Sequence, residues 1–420
     1  AGYRGGTSAF QAGKDVAVVD VVADHGADPT GRTDATAAFQ AALDHAAPVV
    51  VYVPAGLFRA DGLLTVTQSG VVLRGEGPFA SRIRFTRHAD MTGKDHLTFR
   101  GTSTTGAELP LARDGVAGDA EVHVADASAL AVGAAVVLGW TNTDPFVAEH
   151  GMTGTWKAFD DTWQAVFRRE VVGVDTSTTP HRVTLDVPLR YPAKVRDGAS
   201  LRVETGALEE VGVFGLGLAS AVGWDDAWAN ERVHVLGLRH VRDAFVTDVR
   251  SFAPEGAEHH LQNGGILVSR SKRVTIADCR MERAQHRGGG GCGYLFEILQ
   301  SNEVLTRDCV GVAGRHNFIQ NWGFGTTGCV WLRCRTAEGF AVSSSSLPFV
   351  GSLGLSEYHH SLAMANAVDA CRVDDGWGAQ NRHAWSSGAG HTATGCVFWN
   401  VQGEGVVRSR QHGWGYVIGT

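Results

Sequence analysis

The sequence predicts an all-β solenoid, in which short parallel strands stack coil upon coil. Two observations predict this fold. The first is a repeated segment that alternates apolar and polar residues and carries one cysteine: 274–280 with Cys279, 304–310 with Cys309, and 330–335 with Cys334. One strand type recurring after 30 and then 25 residues indicates successive coils. The second is the composition: 54 Gly among 420 residues suits many short strands joined by tight turns.

The repeat extends in both directions. Residues 245–250 fit the same frame 30 residues before Cys279, and we predict that Cys371 and Cys396 continue it downstream. The chain has seven cysteines, an odd number. Because cysteines at strand spacing are typical of a packed core, we interpret them as a ladder of free thiols, not as disulfides or metal ligands.

Charge and hydropathy exclude some classes of partner. The net charge is -7, with no long acidic or basic run, which argues against nucleic acid as the main partner. The sequence has no run of 18 apolar residues, so no transmembrane helix and no membrane partner is expected. Residues 1–6 do not resemble a signal peptide, but they fit the mature end that remains after one is removed.

The N-terminal part combines a helix with the first strands. A short strand begins at Asp20, a polar turn follows over 28–34, and residues 35–46 form an amphipathic pattern of about three helical turns. The segment 49–53 is a buried strand that ends at Pro54. We expect the helix to cover the apolar end of the first coil, where strand edges are otherwise unpaired.

The repeat is interrupted once. Residues 105–200 contain four segments that favour antiparallel strands, and a long loop rich in Trp over 141–167. We therefore divide the chain into three parts: 1–104 with the N-terminal cap and first coils, 105–200 as an inserted β subdomain, and 201–420 as the main coils that carry the site.

Two segments carry a resemblance to a known superfamily. Residues 20–34 with the following helix, and Val51 through Gly56, closely resemble the N-terminal signature of the pectate-lyase-like (pectin-lyase-fold) right-handed parallel β-helix proteins. The resemblance implies a right-handed parallel β-helix, and together with the patterns above we predict an all-β chain of this fold with an N-terminal capping α-helix and an inserted β subdomain. The resemblance also implies a carbohydrate-active enzyme. Because the superfamily includes polysaccharide lyases, glycoside hydrolases, epimerases and phage tailspikes, the fold does not select the reaction.

The resemblance does not extend to a member family. Asp225-Asp226 and His412-Gly413 match two parts of the polygalacturonase pattern, but its other two parts are absent. No catalytic residues are therefore carried over. Several β-helix lyases are assisted by calcium, so the resemblance implies that Ca²⁺ is possible but that no cofactor is required.

The ladder of cysteines predicts where catalytic side chains meet. His286 lies seven residues after Cys279, and His316 lies seven residues after Cys309. If the cysteines stack, the two histidines are expected to stack at one corner of adjacent coils, about 4.8 Å apart. Equivalent residues on the two coils would then contact one sugar unit.

The first functional hypothesis is a polysaccharide lyase acting by β-elimination at a uronate residue. Elimination needs a base, a group that neutralises the carboxylate, and an acid for the leaving oxygen. His286 or His316 supplies the base because imidazole titrates near neutral pH. Arg287 or Arg315 binds the carboxylate in a fork geometry, and Tyr294 protonates the leaving oxygen.

Two other hypotheses stay open. A glycoside hydrolase or transglycosylase needs two carboxyl groups about 5 to 10 Å apart. The available carboxylates are Glu297, Glu338, Asp225, Asp226, Asp374 and Asp375. A non-catalytic glycan-binding or tailspike-like protein is the third hypothesis, and it predicts groove aromatics without a convergent acid and base.

The remaining expectations concern binding. The predicted catalytic residues are His286, His316, Arg315, Tyr294 and Glu297, and the predicted substrate-binding residues are Arg287, Asn317, Asn321, Trp322 and Trp156. The turns around His259-His260 and His359-His360 are rich in histidine, but their spacing is not specific enough to predict a metal site. The expected partner is a polysaccharide or oligosaccharide, and the expected location is secreted, either extracellular or periplasmic.

Overall fold

The structure, a computed structural model, describes residues 1–6, 16–340 and 354–420. It is mostly β, with large parallel sheets and a few short helices. Each strand of the coils pairs in parallel with the equivalent strand of the next coil, as Thr275 with Leu305 and Leu305 with Val330 show. The predicted parallel β architecture is confirmed.

The largest parallel sheet contains 17 strands among the described residues. They are Ala17–Asp20, Val49–Val53, Gly56–Ala60, Val71–Gly75, Ser81–Phe85, Leu208–Ala219, Val241–Ser251, Lys272–Ala277, Arg280–Glu282, Leu305–Arg307, Val310–Val312, Val330–Leu332, Arg335–Ala337, Ala367–Asp369, Arg372–Val373, Val397–Trp399 and Tyr416–Ile418. The strands lie two per coil in most coils, because a residue with positive φ, such as Asp278 or Asp308, turns the chain between them.

The second parallel sheet has nine strands in the part of the chain that the structure describes. They are Leu64–Val66, Asp95–Arg100, His234–Arg239, Gly264–Ser269, Tyr294–Leu299, His316–Gln320, Ser356–Tyr358, Trp377–Ala379 and Val407–Ser409. We call it the nine-stranded sheet. A short pair, Ala363–Met364 with Ala393–Thr394, completes the coils.

Antiparallel pairing is concentrated between residues 104 and 205. The strands there are Thr104–Thr105, Leu109–Pro110, Glu121–Val124, Ala135–Thr141, Trp163–Asp175, His181–Leu185 and Ser200–Thr205. The chain then rejoins the coils, since Val213 pairs in parallel with Leu73. Whether these residues fold as a separate subdomain, and the three-part division of the chain, stay predictions.

The helices are short. They are the α-helices Thr36–Leu43, Asp144–Glu149, Trp224–Trp228 and Trp385–Gly388, and the 3₁₀ helices Tyr3–Gly6 and Val195–Asp197. The first α-helix buries Phe39, whose ring packs edge-on against Phe58 at 5.3 Å. Its proposed role as a cap stays a prediction. No helix among the described residues is long and apolar enough to cross a membrane.

The cysteines form a ladder of free, buried thiols, as predicted. Cys279, Cys309, Cys334 and Cys371 occupy equivalent positions, and each thiol donates to a backbone carbonyl at 3.1–3.6 Å, including one on the preceding coil. Cys396 does not continue this ladder. It aligns with Asn366 and Cys329 in a second column, because Val401 occupies the position that follows Cys371.

Candidate functional site

The outer face of the nine-stranded sheet positions the candidate site. Phe296 and Phe318 point into the core, where their rings stack at 4.8 Å. Because side chains alternate along a strand, the intervening Glu297 points to the opposite face. Glu297 lies opposite Ile319, which lies opposite Glu357 on the next strand. Glu297 and Glu357 therefore occupy the same register position on this face, with Ile319 between them.

Tyr294, and not His286, is in register with His316. The two residues pair on adjacent strands, and their ring centroids are 5.3 Å apart. Tyr294 follows Cys279 by 15 residues, whereas His316 follows Cys309 by seven. The prediction that His286 and His316 stack is wrong, because the longer loop between Cys279 and Tyr294 carries His286 out of register.

Gly293, in the loop between Cys279 and Tyr294, leaves no space for a side chain. Gly293 has a φ of +75°, and a Cβ there would lie 2.8 Å from Cβ of Arg315. Its carbonyl accepts the backbone N–H of Arg315 at 2.7 Å. A larger residue would therefore displace the coil that carries Arg315. Gly293 therefore lies at a crowded corner between two coils.

Arg315 connects His286 with Tyr294. Its backbone bonds to the residue preceding Tyr294, and its guanidinium donates from Nη1 to the carbonyl of Gly288 at 2.6 Å. A Cβ on Gly288 would lie 3.4 Å from Cε1 of His286, so the residue that accepts from Arg315 lies next to the imidazole. Half-buried Arg315 is close enough to act electrostatically on both His286 and Tyr294.

Burial sets the protonation of both groups. The His286 ring packs against Trp228 at 4.2 Å, and its buried Nδ1 has no hydrogen-bond partner among the described residues. Desolvation lowers the pKa of His286, so the imidazole is neutral at neutral pH. Desolvation raises the pKa of Tyr294 to about 12, so its hydroxyl keeps its proton.

Glu297 belongs to a buried network with an earlier coil. His234 donates from Nε2 to Oε2 of Glu297 at 2.8 Å, and Asn321 donates from Nδ2 to Oε1 at 2.8 Å. His234 also lies 3.7 Å from Asp95, which Arg239 holds in a bidentate pair at 2.6 and 2.7 Å. The network fixes the orientation of the Glu297 carboxylate, and it places the predicted residues Glu297 and Asn321 in contact.

A second group of polar residues lies next to Tyr294, around His316. The imidazole Nε2 of His316 is 3.3 Å from Oε1 of Glu357, and Nε2 of His359 is 3.6 Å from the same oxygen. Arg382 binds Glu357 from Nη1 at 2.7 and 3.0 Å. All four side chains are at least 95% buried. Burial raises the pKa of Glu357 and lowers the pKa of both histidines well below its ordinary value.

Sequence reasoning missed Glu357 and Arg382. Glu357 is 41 residues from His316 along the chain, and Arg382 follows a further 25 residues on. The sequence signal that could have identified this group is the pair His359-His360, which begins two residues after Glu357. The apolar–polar alternation around it is short, so it does not predict a strand. Among the described residues, the ligand atoms of His316, Glu357 and His359 form the one group that is compact enough to hold a metal ion.

Two predicted substrate-binding residues have structural roles instead. Asn317 is fully buried and donates from Nδ2 to Asp375 at 2.8 Å and to the carbonyl of Ala337 at 2.8 Å, so it orders a turn. Trp156 is also fully buried, and its indole N–H donates to the carbonyl of Ala389 at 3.0 Å. The prediction that these residues contact a sugar is wrong, because both side chains are fully buried and their amide and indole N–H groups are already bonded within the protein.

The other predicted binding residues remain near the site. The Arg287 guanidinium lies 4.4 Å from the ring of exposed Phe340. Trp322 contacts His360 edge-on at 4.7 Å, so it adjoins the histidine group. Their roles in binding stay predictions.

The carboxylates of the hydrolase hypothesis, apart from Glu297, lie outside the nine-stranded sheet. Asp374 pairs with Arg335 and Arg372, at 3.2 and 3.0 Å. Asp375 accepts hydrogen bonds from Thr336, and burial raises its pKa to about 6. The others, Glu338, Asp225 and Asp226, are exposed.

Comparison with known proteins gives one family match. Residues 19–114 match the family described as rhamnogalacturonase A/epimerase, pectate lyase-like. A search of curated proteins gave no match. The match includes residues 20–34 and 51–56, which carry the resemblance in the sequence. The pectate-lyase-like resemblance is therefore confirmed over residues 19–114.

Solved structures with a similar chain path have low sequence identity. The tailspike protein gp49 from Pseudomonas phage LKA1 is 14% identical, with 90% of this chain and 69% of that chain covered and a TM-score of 0.44. An iota-carrageenase in complex with iota-carrageenan fragments is 11% identical, with 93% and 61% covered and a TM-score of 0.38. A pectin methylesterase mutant in complex with a hexasaccharide is 11% identical, with 95% and 93% covered and a TM-score of 0.35. Similarity at this level does not distinguish between reactions.

Proposed function

We propose that this protein is a polysaccharide lyase that cleaves a uronate-containing polysaccharide by β-elimination. The observation that carries the proposal is that Arg315 bonds to Gly288 and Gly293, which lie in the loop that joins His286 to Tyr294. The side chains of His286, Arg315 and Tyr294 supply the base, the carboxylate-binding cation and the acid that elimination needs. The family match over residues 19–114 supports action on a polysaccharide.

Each group has one role in the reaction. Arg315 binds the uronate carboxylate and stabilises the negative charge that develops when the adjacent carbon is deprotonated. His286 takes that proton on its neutral imidazole. The carbon–oxygen bond to the leaving sugar breaks, a carbon–carbon double bond forms, and Tyr294 donates its proton to the leaving oxygen. The products are an unsaturated uronate and a free hydroxyl group, so no water is consumed.

Glycoside hydrolysis is the second candidate, and one observation favours it. Glu297 and Glu357 occupy the same register position two strands apart, a backbone separation of about 10 Å. Inverting glycosidases place their carboxyl groups about 6.5–9.5 Å apart. Hydrolysis would require Arg382 to release Glu357, whereas the proposed elimination requires no such release.

One experiment separates these reactions. The protein is incubated with acidic and neutral polysaccharides, and ultraviolet absorbance and reducing ends are measured together. A lyase produces new reducing ends with the absorbance of the conjugated double bond, on uronate polymers only. Reducing ends without absorbance would establish hydrolysis, and binding without product would establish a non-catalytic glycan-binding protein.

Variants test the assignment of residues. His286→Ala and Arg315→Ala are expected to lose activity on the same substrate while keeping the circular dichroism spectrum. His259→Ala is the matched control, because His259 contacts Trp224, the neighbour of Trp228 on the same short helix, and has no proposed role. Full activity in His286→Ala or Arg315→Ala would contradict the proposed site.

We also propose that the protein is secreted, because its substrate is an extracellular polymer. Fractionation of the source cells, with activity measured in the medium, periplasm and cytoplasm, tests this. Recovery of the protein in the cytoplasm alone would contradict it.

A further inference from the structure

Three potential ligand atoms converge in the group next to Tyr294. Nε2 of His316 and Nε2 of His359 lie 3.3 and 3.6 Å from Oε1 of Glu357, and all three atoms lie within 4.8 Å of one another. Their side chains are buried. Which nitrogen of each imidazole carries the hydrogen determines whether the three atoms can bond to one another or must bind a cation.

His316 directs a lone pair at Glu357. Its Nδ1 contacts the backbone carbonyl of Leu355, and because a carbonyl only accepts, Nδ1 carries the hydrogen. In a neutral imidazole Nε2 is then an acceptor. This buried Nε2 has no hydrogen-bond partner among the described residues, and it faces a carboxylate oxygen, which is also an acceptor.

His359 also directs a lone pair from Nε2 at Glu357, because its contact with His360 fixes its tautomer. His360 contacts the carbonyl of Ser386 through Nε2, so that nitrogen carries the hydrogen and Nδ1 of His360 accepts. Nδ1 of His359 lies 2.7 Å from Nδ1 of His360 and must therefore donate to it. The free lone pair of His359 is on Nε2, which again faces Glu357.

We propose that His316, Glu357 and His359 bind a divalent transition-metal ion such as Zn²⁺ through Nε2, Oε1 and Nε2. Three lone pairs that face each other without a hydrogen repel one another, and a cation between them removes the repulsion. Tetrahedral zinc with bonds of about 2.0–2.1 Å places its ligand atoms about 3.3–3.4 Å apart. The two measured separations from Glu357, 3.3 and 3.6 Å, are close to this value.

The surrounding hydrogen bonds are those of a metal site. Histidine ligands usually donate their second N–H to a carbonyl or another acceptor, which fixes the tautomer. His316 does so to Leu355, and His359 does so to His360. Arg382 orients Glu357 by donating from Nη1 to Oε2 at 2.7 Å and to the proposed ligand atom Oε1 at 3.0 Å, and its positive charge is expected to weaken binding.

The donor set also selects the class of ion. Two imidazoles and one carboxylate suit zinc and related transition metals, whereas calcium prefers oxygen ligands. Three protein ligands leave a fourth position for a water or substrate oxygen, as in catalytic zinc sites. The inference does not depend on the proposed elimination, since none of its three ligands is the base, the acid or the carboxylate-binding group of that reaction.

Metal binding is tested directly on the full chain. The protein is treated with a chelator and dialysed, and Zn²⁺ is then added in a calorimetric titration. One ion per chain is expected to bind. Co²⁺ added to the same protein is expected to give the strong visible absorbance of a four-coordinate site. Neither measurement requires a substrate or an active enzyme.

Variants assign the ligands. His316→Ala, His359→Ala and Glu357→Gln are each expected to lower the zinc affinity by more than the roughly 10- to 100-fold that loss of an outer-shell partner costs. His391→Ala is the matched control, because His391 is a half-buried histidine that contacts His412 outside this group, and its affinity is expected to equal that of the wild type. Glu357→Gln preserves the side-chain shape and decides the question if an alanine variant unfolds.

Two results would overturn the proposal. The first is the absence of stoichiometric Zn²⁺ binding by the wild type, which would mean that a proton on Glu357 satisfies the facing lone pairs. The second is equal affinity in the wild type and Glu357→Gln, which would place the bound ion elsewhere.

Discussion

Tyr294 lies directly opposite His316 on adjacent strands, with ring centroids 5.3 Å apart. This register joins two chemically different groups. On one side, Arg315 links Tyr294 to His286, and on the other side His316 faces Glu357. Because both groups share one buried corner of the nine-stranded sheet, changes in Tyr294 or in its preceding loop are expected to affect the reaction directly.

Tyr294→Phe is expected to reduce kcat by about 10²- to 10⁴-fold, the usual contribution of general acid catalysis. The KM is expected to change little, because the variant keeps the ring packed against His316. Steady-state kinetics on the uronate polymer provides the measurement. A substrate with a more acidic leaving group is expected to recover part of the rate, and unchanged kcat in the variant would exclude Tyr294 as the acid.

The pH dependence of kcat/KM is expected to show an acidic limb from His286. A base must be neutral to accept a proton, and burial lowers the pKa of His286 below its ordinary value of about 6.5. Activity is therefore expected to be retained at neutral pH and to fall only as the pH decreases below about 6.5. The pH profile of the wild type is compared with that of the residual activity of His286→Ala. If kcat/KM of the variant decreases at acidic pH as in the wild type, the decrease belongs to a group other than His286.

Gly293→Ala is expected to lower activity more than stability. The new Cβ would lie 2.8 Å from Cβ of Arg315, at a position with a φ of +75°. The resulting shift moves Arg315 away from Gly288 and His286. Kinetics and thermal unfolding are measured together, with Gly289→Ala as the control, since a Cβ at Gly289 meets no atom within 4 Å. Equal activity in both variants would show that the corner accommodates the methyl group.

Asp375 is expected to make the free energy of unfolding depend on pH. Its pKa is about 6 in the folded protein, above the value of about 3.9 expected when unfolded. The folded state therefore binds the proton more tightly, and stability falls as the pH rises from about 4 to about 6. The change is at most about 3 kcal/mol.

Asp375→Asn removes this titration. Urea unfolding of the wild type and the variant across that pH range is the measurement, and their difference isolates Asp375 from other carboxylates. The variant also loses a hydrogen-bond acceptor for Asn317 and Thr336, which changes its stability at every pH. The two proteins are therefore compared by the slope of the free energy of unfolding against pH, and not by its absolute value. Parallel pH curves would show that Asp375 does not titrate in this range.

The cysteine ladder is expected to be inert in the folded protein. All seven thiols are free and buried, so a reagent in solution does not reach them while the protein is folded. A thiol reagent is therefore expected to modify them only after unfolding. The reaction is followed spectrophotometrically with and without denaturant. Rapid modification under native conditions would show that the coils open locally.

The repeat was predictable because it depends on local alternation. Val274 and Val304 recur at equivalent positions that face one core, and the cysteines that follow them mark the coils. The same reasoning failed at His286, since it assumed loops of equal length. Loops lie outside the ladder of backbone hydrogen bonds, so their length can change without altering the strands they join.

The sequence by itself determined the stacking of coils, the free-thiol ladder and the involvement of Tyr294, Arg315 and His316 in one region. Only the tertiary structure decided that Glu357, His359 and Arg382 join that region and that Asn317 and Trp156 are fully buried. The physical reason is that adjacent coils lie about 4.8 Å apart whatever the length of chain between them. Side-chain neighbours are therefore set by strand register, which becomes visible only when every loop has been placed.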